Sequence, residues 1–556
     1  MTRRRRGLTL LLLGTGLLSF WSLGSLPLID VDEPVYGQVG KEMAQAGWSG
    51  WLTPHYGGLP WFDKPPLFYW LTALSMRGLG VSEFSARLPS ALLAVVLVAT
   101  TYALARRTFP HVPRVGLWAG FALATCVQFF LLARAAVTDM TLALTLTLAL
   151  CALYVWTQTG RGRWIALAGA MTGLAALTKG PVALVLIGVQ AIAYLVLTRQ
   201  PKRLLSPALW GGFVLCLLVS LPWYAAMIHL HGRLFIDGFL EANNVTRYLQ
   251  AEHSATSSPF YFVPTLLGGF FPWSLLLPGA LVVAWRQGRN TWAEHQTDNP
   301  ALFLGLWIAL VFLFFSASQS KLITYIFPLY PAAAVLVGAW ISKIHVADES
   351  MTASIYTSWV YAVFAVALAV AAVFAGQKYH IALVTLWLWG LALGGSVIAV
   401  QEVRPRRWVW LAPGTAIALF LLTAWCSPTW RTQESEVSDR KLAQAASSVV
   451  PPGGTIYALG LKHPSLRFYA RCPVVYVDDH SQAAADLKAH PGVVYVLRPE
   501  VLDELRHKYG VVGYREVVRF RRAVLIQATL APQGGRAAVP GHFTAPARAH
   551  EITERL

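Results

Sequence analysis

Apolar runs of membrane-spanning length, separated by short polar breaks, make up most of the chain. The first runs from Gly7 to Ile29, directly after the basic start Arg3 to Arg6. Others fall near 67–105, 115–133, 139–157, 164–178, 181–198, 207–230, 261–285, 301–317, 322–342, 355–376, 381–400 and 408–426. The stretch 67–105 reads as one full span preceded by a shorter interfacial helix. By the length criterion of roughly 20 apolar residues per crossing, these make about thirteen spans. Gly7–Ile29 is too long for the apolar core of a leader peptide, and no small-residue cleavage site closes it. It reads as an uncleaved first span whose start lies in the cytoplasm.

The pattern changes near Pro428. Glu434–Ser448 has the periodicity of an amphipathic helix. Thr455–Gly460, Val474–Val477, Val493–Leu497 and Val517–Gln527 read as strands, with helices near 464–471, 480–489 and 499–508 between them. Strands alternating with helices predict a small α/β domain. The expected architecture is therefore an all-α polytopic membrane domain over 1–427, with outer loops at 30–66 and 231–260. A soluble α/β domain at 428–530 follows, and then a tail over 531–556 whose Ala, Pro, Gly and Arg content predicts disorder.

Composition agrees. The chain is 56% hydrophobic and only 13% charged, too little charge to cover a soluble protein of this length. The net charge of +18 would suit nucleic acid if it were clustered. It is instead spread over alternate loops: Arg106, Arg107 and Arg114; Arg161 and Arg163; Arg199, Lys202 and Arg203; Arg286 and Arg289; Lys343; Arg404, Arg406 and Arg407. That is the distribution of cytoplasmic loops, and an odd number of spans puts the C-terminal domain outside. Five cysteines without CxxC spacing support neither a zinc site nor a disulfide framework.

The opposite loops hold the unusual chemistry. Asp30, Asp32 and Glu33 sit at the end of the first span, and ionisable groups there are costly unless hydrated, paired or used. Asp32 and Glu33 are candidates to orient an acceptor, remove a proton or hold a metal. A helix cap before Pro34 is the competing reading. Asp139, in RAAVTDM, is a second acidic candidate. It equally suits the first turn of a helix, or a salt bridge to Arg134. Lys64, Lys179, Arg233, Arg247 and Lys321 are outer-face cations that could bind a phosphate at the end of a lipid tail, or could simply snorkel. Histidines 55, 229, 231 and 253 lack metal-site spacing. A divalent ion shared between Asp32, Glu33 or Asp63 and a histidine is the remaining cofactor candidate; none is required.

In order along the chain stand DEPVYGQ, PWFDKPPLFYW, RAAVTDM, LTKGP, NNVTRY with HSATSSPFYF, GGFFPW and SKLITYIFPLYP. This order resembles the lipid-linked-sugar glycosyltransferases of the protein O-mannosyltransferase and aminoarabinose-transferase superfamily, whose membrane fold is called GT-C. Within it, the chain looks most like the bacterial transferases that move 4-amino-4-deoxy-L-arabinose from undecaprenyl phosphate to lipid A. The resemblance implies a catalytic role for Asp32 and a supporting one for Asp139. It also implies contact of Lys64, Arg247 and Tyr325 with the carrier-lipid phosphate. Partners would be the undecaprenyl-phosphate-linked sugar, lipid A and the bilayer, with no nucleic acid. The site would be the periplasmic face of a bacterial inner membrane. One position departs: family members often carry Arg two residues after the Asp-Glu pair, where this chain has Val35. A polyprenyl-phosphate-dependent O-mannosyltransferase with a protein acceptor is the alternative enzyme, and a lipid transporter or envelope scaffold the alternative of another class.

Overall fold

The computed structural model describes residues 3–250, 258–293, 297–344, 437–520 and 523–529. The expected spans at 355–376, 381–400 and 408–426, the tail from Ala531, and His253 lie outside the described residues. The described part divides into two compact units. One comprises 3–21, Phe62–Phe68 and 88–344; the other comprises Ser22–Trp61, Tyr69–Arg87 and the C-terminal residues from Val437.

The first unit is helical. Among the described residues, four helices are long and apolar enough to cross a membrane: Glu83–Thr108, Asp139–Thr159, Pro207–His231 and Pro300–Ala317. The first of these carries its opening turn, through Arg87, into the second unit. Asp139–Thr159 is buried along nearly its whole length, so it is the central helix of this unit. Gly162–Lys179 packs on Pro207–His231 at very close range. A Cβ at Gly169 would stand 1.9 Å from the Gly212 carbonyl oxygen; glycine lets the two backbones meet, as small residues do between apolar helices.

Several expected spans are shorter or broken. The first helix is Arg3–Phe20 and does not reach Ile29; Gly24 and Pro27 follow, and the chain turns at Ser22 with φ +57°. The run 115–133 splits into Val115–Ala124 and Val127–Leu132. The run 261–285 becomes Phe262–Gly269, a 3₁₀ turn at Trp273–Leu275 and Leu277–Ala293. The break falls at Gly268-Gly269 and Pro272, which weaken or interrupt helices. The helix expected from 322 begins only at Tyr330, after the 3₁₀ turn Phe327–Leu329.

In the second unit, the stretch expected as a loop at 30–66 contains a helix, Asp32–Gln45. It also contains a hairpin of β1 (His55–Tyr56) and β2 (Leu59–Pro60). Its turn is Gly57-Gly58, at φ +65° and +79°, where only glycine is at ease. The C-terminal residues form a sheet of β3 (Ile456–Leu459), β4 (Val474–Val477), β5 (Val494–Leu497), β6 (Tyr514–Arg519) and β7 (Val524–Ala528), in the order β4-β3-β5-β7-β6. β3 runs parallel to β4 and β5, and β7 antiparallel to β5 and β6. The single strand expected at Val517–Gln527 is thus parts of two strands, β6 and β7, paired antiparallel. Helices Arg440–Val449, Pro464–Tyr469, His480–Ala489 and Pro499–His507 complete it.

The N-terminal residues are bound tightly into this unit. Asp30 donates its backbone N–H to the Val437 carbonyl at 3.0 Å, and Leu28 donates to the Tyr469 hydroxyl at 2.7 Å. Segments more than 400 positions apart therefore share one core.

Candidate active site

In the first unit, Asp139 lies in the first turn of its helix, buried. Its carboxylate accepts a hydrogen bond from the Lys179 ammonium at 2.7 Å. Lys179 closes the helix Gly162–Lys179. Each charge sits at the helix end whose dipole favours it. The same ammonium stands 4.7 Å from the centre of the Tyr325 ring, a cation–π distance, and Tyr325 packs against Phe315. Three residues singled out from sequence therefore form one cluster. The pairing of Asp139 is with Lys179; Arg134 lies over the Phe130 ring at 5.0 Å and reaches the Leu18 carbonyl at 3.5 Å.

Lys64 donates to the neighbouring Asp63 carboxylate at 2.8 Å. Lys321 is buried and donates to the Ser318 carbonyl. Arg233 is exposed, and His231 packs edge-on against Phe62 at 5.1 Å. Arg247 opens a short helical turn, but its side chain lies outside the described set. Asn243, four residues earlier, donates to the Gly238 carbonyl at 2.9 Å.

In the second unit, Asp32 is exposed in the first turn of Asp32–Gln45, whereas Glu33 beside it is buried. Arg87 grips the Glu33 carboxylate with two parallel hydrogen bonds, Nε to Oε1 at 2.8 Å and Nη2 to Oε2 at 2.6 Å. Its other donors reach the carbonyls of Leu23, Leu26 and Pro27, and the Ile29 N–H donates to Glu33. Both Glu33 oxygens are thus spent on holding the turn that presents Asp32. Arg87 did not stand out among the sequence candidates; its signal is an arginine five positions into a helix of membrane-spanning length, well before the basic residues of its last turn.

Asp30 accepts from the Ser465 N–H at 2.9 Å and from its hydroxyl. Burial pushes its carboxyl up to about 6. Next to it, His463 Nδ1 meets Asp439 Oδ2 at 2.8 Å, and that hydrogen bond raises the imidazole above its ordinary value. Among the described residues, Asp30, Asp439 and His463 are the group with ligating atoms close enough for a metal, within 4.8 Å of one another. None of Asp32, Glu33 or Asp63 takes part, and the group is internally hydrogen-bonded through Ser465.

The comparisons with known proteins bear on this arrangement. A family model for dolichyl-phosphate-mannose-protein mannosyltransferases matches residues 63–225. Undecaprenyl phosphate-alpha-4-amino-4-deoxy-L-arabinose arabinosyl transferase 1 of Pseudomonas fluorescens Pf-5 is 31% identical over 438 residues, covering 76% of this chain and 75% of that one. The chain belongs to this arabinosyl transferase family. The Pectobacterium carotovorum member is 30% identical, with 76% of each chain covered. The crystal structure of ArnT from Cupriavidus metallidurans bound to undecaprenyl phosphate superposes with a TM-score of 0.76 at 24% identity, over 94% of this chain and 99% of that one. The arabinosyl transferase fold thus extends over nearly the whole chain. As an arabinosyl transferase family member the chain is a glycosyltransferase, and a multi-pass membrane protein.

Proposed function

We infer that the chain moves 4-amino-4-deoxy-L-arabinose from undecaprenyl phosphate to a phosphate of lipid A. The observation that carries this reading is its relation, over three quarters of both chains, to a transferase named for that donor. The reading places about thirteen spans in a bacterial inner membrane, with a cytoplasmic N-terminus and the C-terminal sheet domain in the periplasm. It assigns 1–427 to the membrane domain, 428–530 to the soluble domain and 531–556 to a disordered tail.

Breaking the sugar–phosphate bond builds positive charge on the sugar and negative charge on the leaving phosphate, as in other glycosyl transfers. Lys64 and Arg247 stabilise that phosphate with preorganised charge, and Tyr325 adds a neutral hydrogen bond. Asp32, exposed at its helix start, orients the acceptor. Little base strength is needed if the acceptor is a phosphate already ionised. Glu33 acts through Arg87 as a positioning residue, and Asp139 with Lys179 fixes the helix ends behind Tyr325. No metal is assigned a step.

The test is mass spectrometry of lipid A from cells with and without the protein. A gain of one aminopentose residue per modified phosphate is expected. Unchanged lipid A alongside a glycosylated protein would replace this reading with that of a protein O-glycosyltransferase.

A further inference from the structure

The second unit contains a cavity of about 1000 Å³ that none of the proposed roles uses. Its lining is strongly basic. Lys41, Arg440, Arg467 and Arg471 face it, against one carboxylate, Glu83, leaving a net charge of +3. Gln38, Gln45 and Gln444 add neutral amides to the wall.

Three of the four cations are held in place. The Arg467 guanidinium makes cation–π contacts with the rings of Tyr56 and Tyr476, at 4.6 and 4.8 Å from their centres. Its Nη2 donates to the Val474 carbonyl at 2.9 Å. A guanidinium fixed by these contacts presents its donors as a planar fork, the geometry that matches phosphate oxygens. Gly57 makes room for it, since a Cβ there would stand 2.2 Å from Arg467 Nη1. Lys41 donates to the Phe468 carbonyl at 2.9 Å, and Arg440 pairs with Glu83 at 2.8 Å. Glu83 also accepts from the Tyr469 hydroxyl at 3.1 Å. Arg471 is exposed.

We propose that this cavity binds the phosphate-bearing saccharide head group of the acceptor. Guanidinium and ammonium groups suit phosphate, and side-chain amides suit sugar hydroxyls. The volume is at the upper end of small-molecule sites, more than one sugar needs. Gln38 and Lys41 belong to the helix that starts with Asp32. At about 1.5 Å of rise per residue, Gln38 lies roughly 9 Å along that axis from Asp32. The cavity wall and the exposed carboxylate of Asp32 therefore share one helix, within the length of a disaccharide head group. This inference rests on the acceptor named above and adds where it is held.

The experiment uses the full chain in detergent, with Arg471→Glu and Lys41→Gln as variants and Arg471→Lys as the conservative control. Transfer is measured against acceptor and donor concentration separately. Each variant should raise the acceptor KM about ten-fold or more, the loss expected for one charge-assisted hydrogen bond. The donor KM should hold, and Arg471→Lys should recover most of the loss. Direct titration with a phosphorylated glucosamine disaccharide should show binding that Arg471→Glu weakens by a similar factor, and the unphosphorylated disaccharide should bind at least ten-fold more weakly. An unchanged acceptor KM with normal wild-type transfer would overturn this site alone and leave the transferase reading standing. Equal binding of inorganic phosphate and the phosphorylated disaccharide would reduce the cavity to a general anion site and overturn the proposal. Absence of wild-type transfer, by contrast, would count against the transferase reading itself.

Discussion

Lys179 donates to Asp139 across 2.7 Å, from a position forty residues further along the chain. Both side chains are largely buried, so each charge is tolerable only because the other is there. Removing one partner of a buried pair typically costs about 3–5 kcal/mol, whereas replacing both with apolar or neutral groups can be nearly neutral. Lys179→Met should therefore lower thermal stability more than the double variant Asp139→Asn/Lys179→Met does. Equal destabilisation in the two would show that the pair is not what holds these helix ends.

Asp32 and Glu33 are neighbours with opposite surroundings, one exposed and one gripped by Arg87. Asp32→Asn should abolish transfer while leaving the melting temperature unchanged. Glu33→Gln should lower the melting temperature, because Arg87 would keep its charge and lose its partner. Wild-type transfer by a well-folded Asp32→Asn variant would remove Asp32 from the reaction.

Lys64 and Arg247 are proposed to act on one leaving phosphate. Loss of either contact, at about 1.5–3 kcal/mol for a charge-assisted hydrogen bond, should slow turnover by roughly ten-fold or more. Groups that serve one phosphate should be less than additive, so the double alanine variant should fall short of the product of the two singles. Tyr325→Phe should cost less than either. Transfer rates in liposomes with purified undecaprenyl-phosphate sugar decide this, and wild-type rates in both single alanine variants would leave snorkelling as the account of these cations.

Acid–base behaviour of the second unit centres on Asp30 and His463, which share surroundings with Asp439, Ser465 and Arg498. Burial raises the Asp30 carboxyl from 3.8 to about 6. The folded state then holds a proton that the unfolded chain has released, so stability falls as pH rises from about 4 to about 6. The imidazole, raised above 6.5 by Asp439, contributes fully below that value and loses its contribution as pH rises through its folded value. Both effects have one sign. Thermal unfolding followed from pH 4 to 8 should show Asp30→Asn flattening the lower part of the profile and His463→Gln the upper part. Parallel profiles in wild type and both variants would mean that neither group is linked to folding.

The expected topology can be checked by labelling from the periplasmic side. Cysteines introduced near Tyr56 and near Glu504 should react, and one near Arg161 should be protected. Reaction at the last position would reverse the orientation drawn from loop charge.

How much was legible in advance depended on range. Apolar run length alone determined the membrane class and located Asp139–Thr159, Pro207–His231 and Pro300–Ala317 to within a few residues, because spanning a bilayer is a requirement each segment meets by itself. Asp139 at a helix start was equally local, since a carboxylate there answers to its own helix's dipole. The parallel strands β3, β4 and β5 were legible from the alternation of strand and helix patterns. The pairing of β6 with β7 was not, because one continuous β-prone stretch does not mark where one strand ends and the next begins. Tertiary structure decided the rest. Which cation meets Asp139, and that Arg87 rather than a lysine holds Glu33, depends on where helices cross and not on any spacing along the chain. Nothing between Asp30 and Ser465 signals that they will touch. The basic cavity exists only because residues 38–57, 81–83 and 440–474 fold into one unit. Contacts closed over such distances are bought by burial of the whole unit, and no local stretch of sequence carries that free energy.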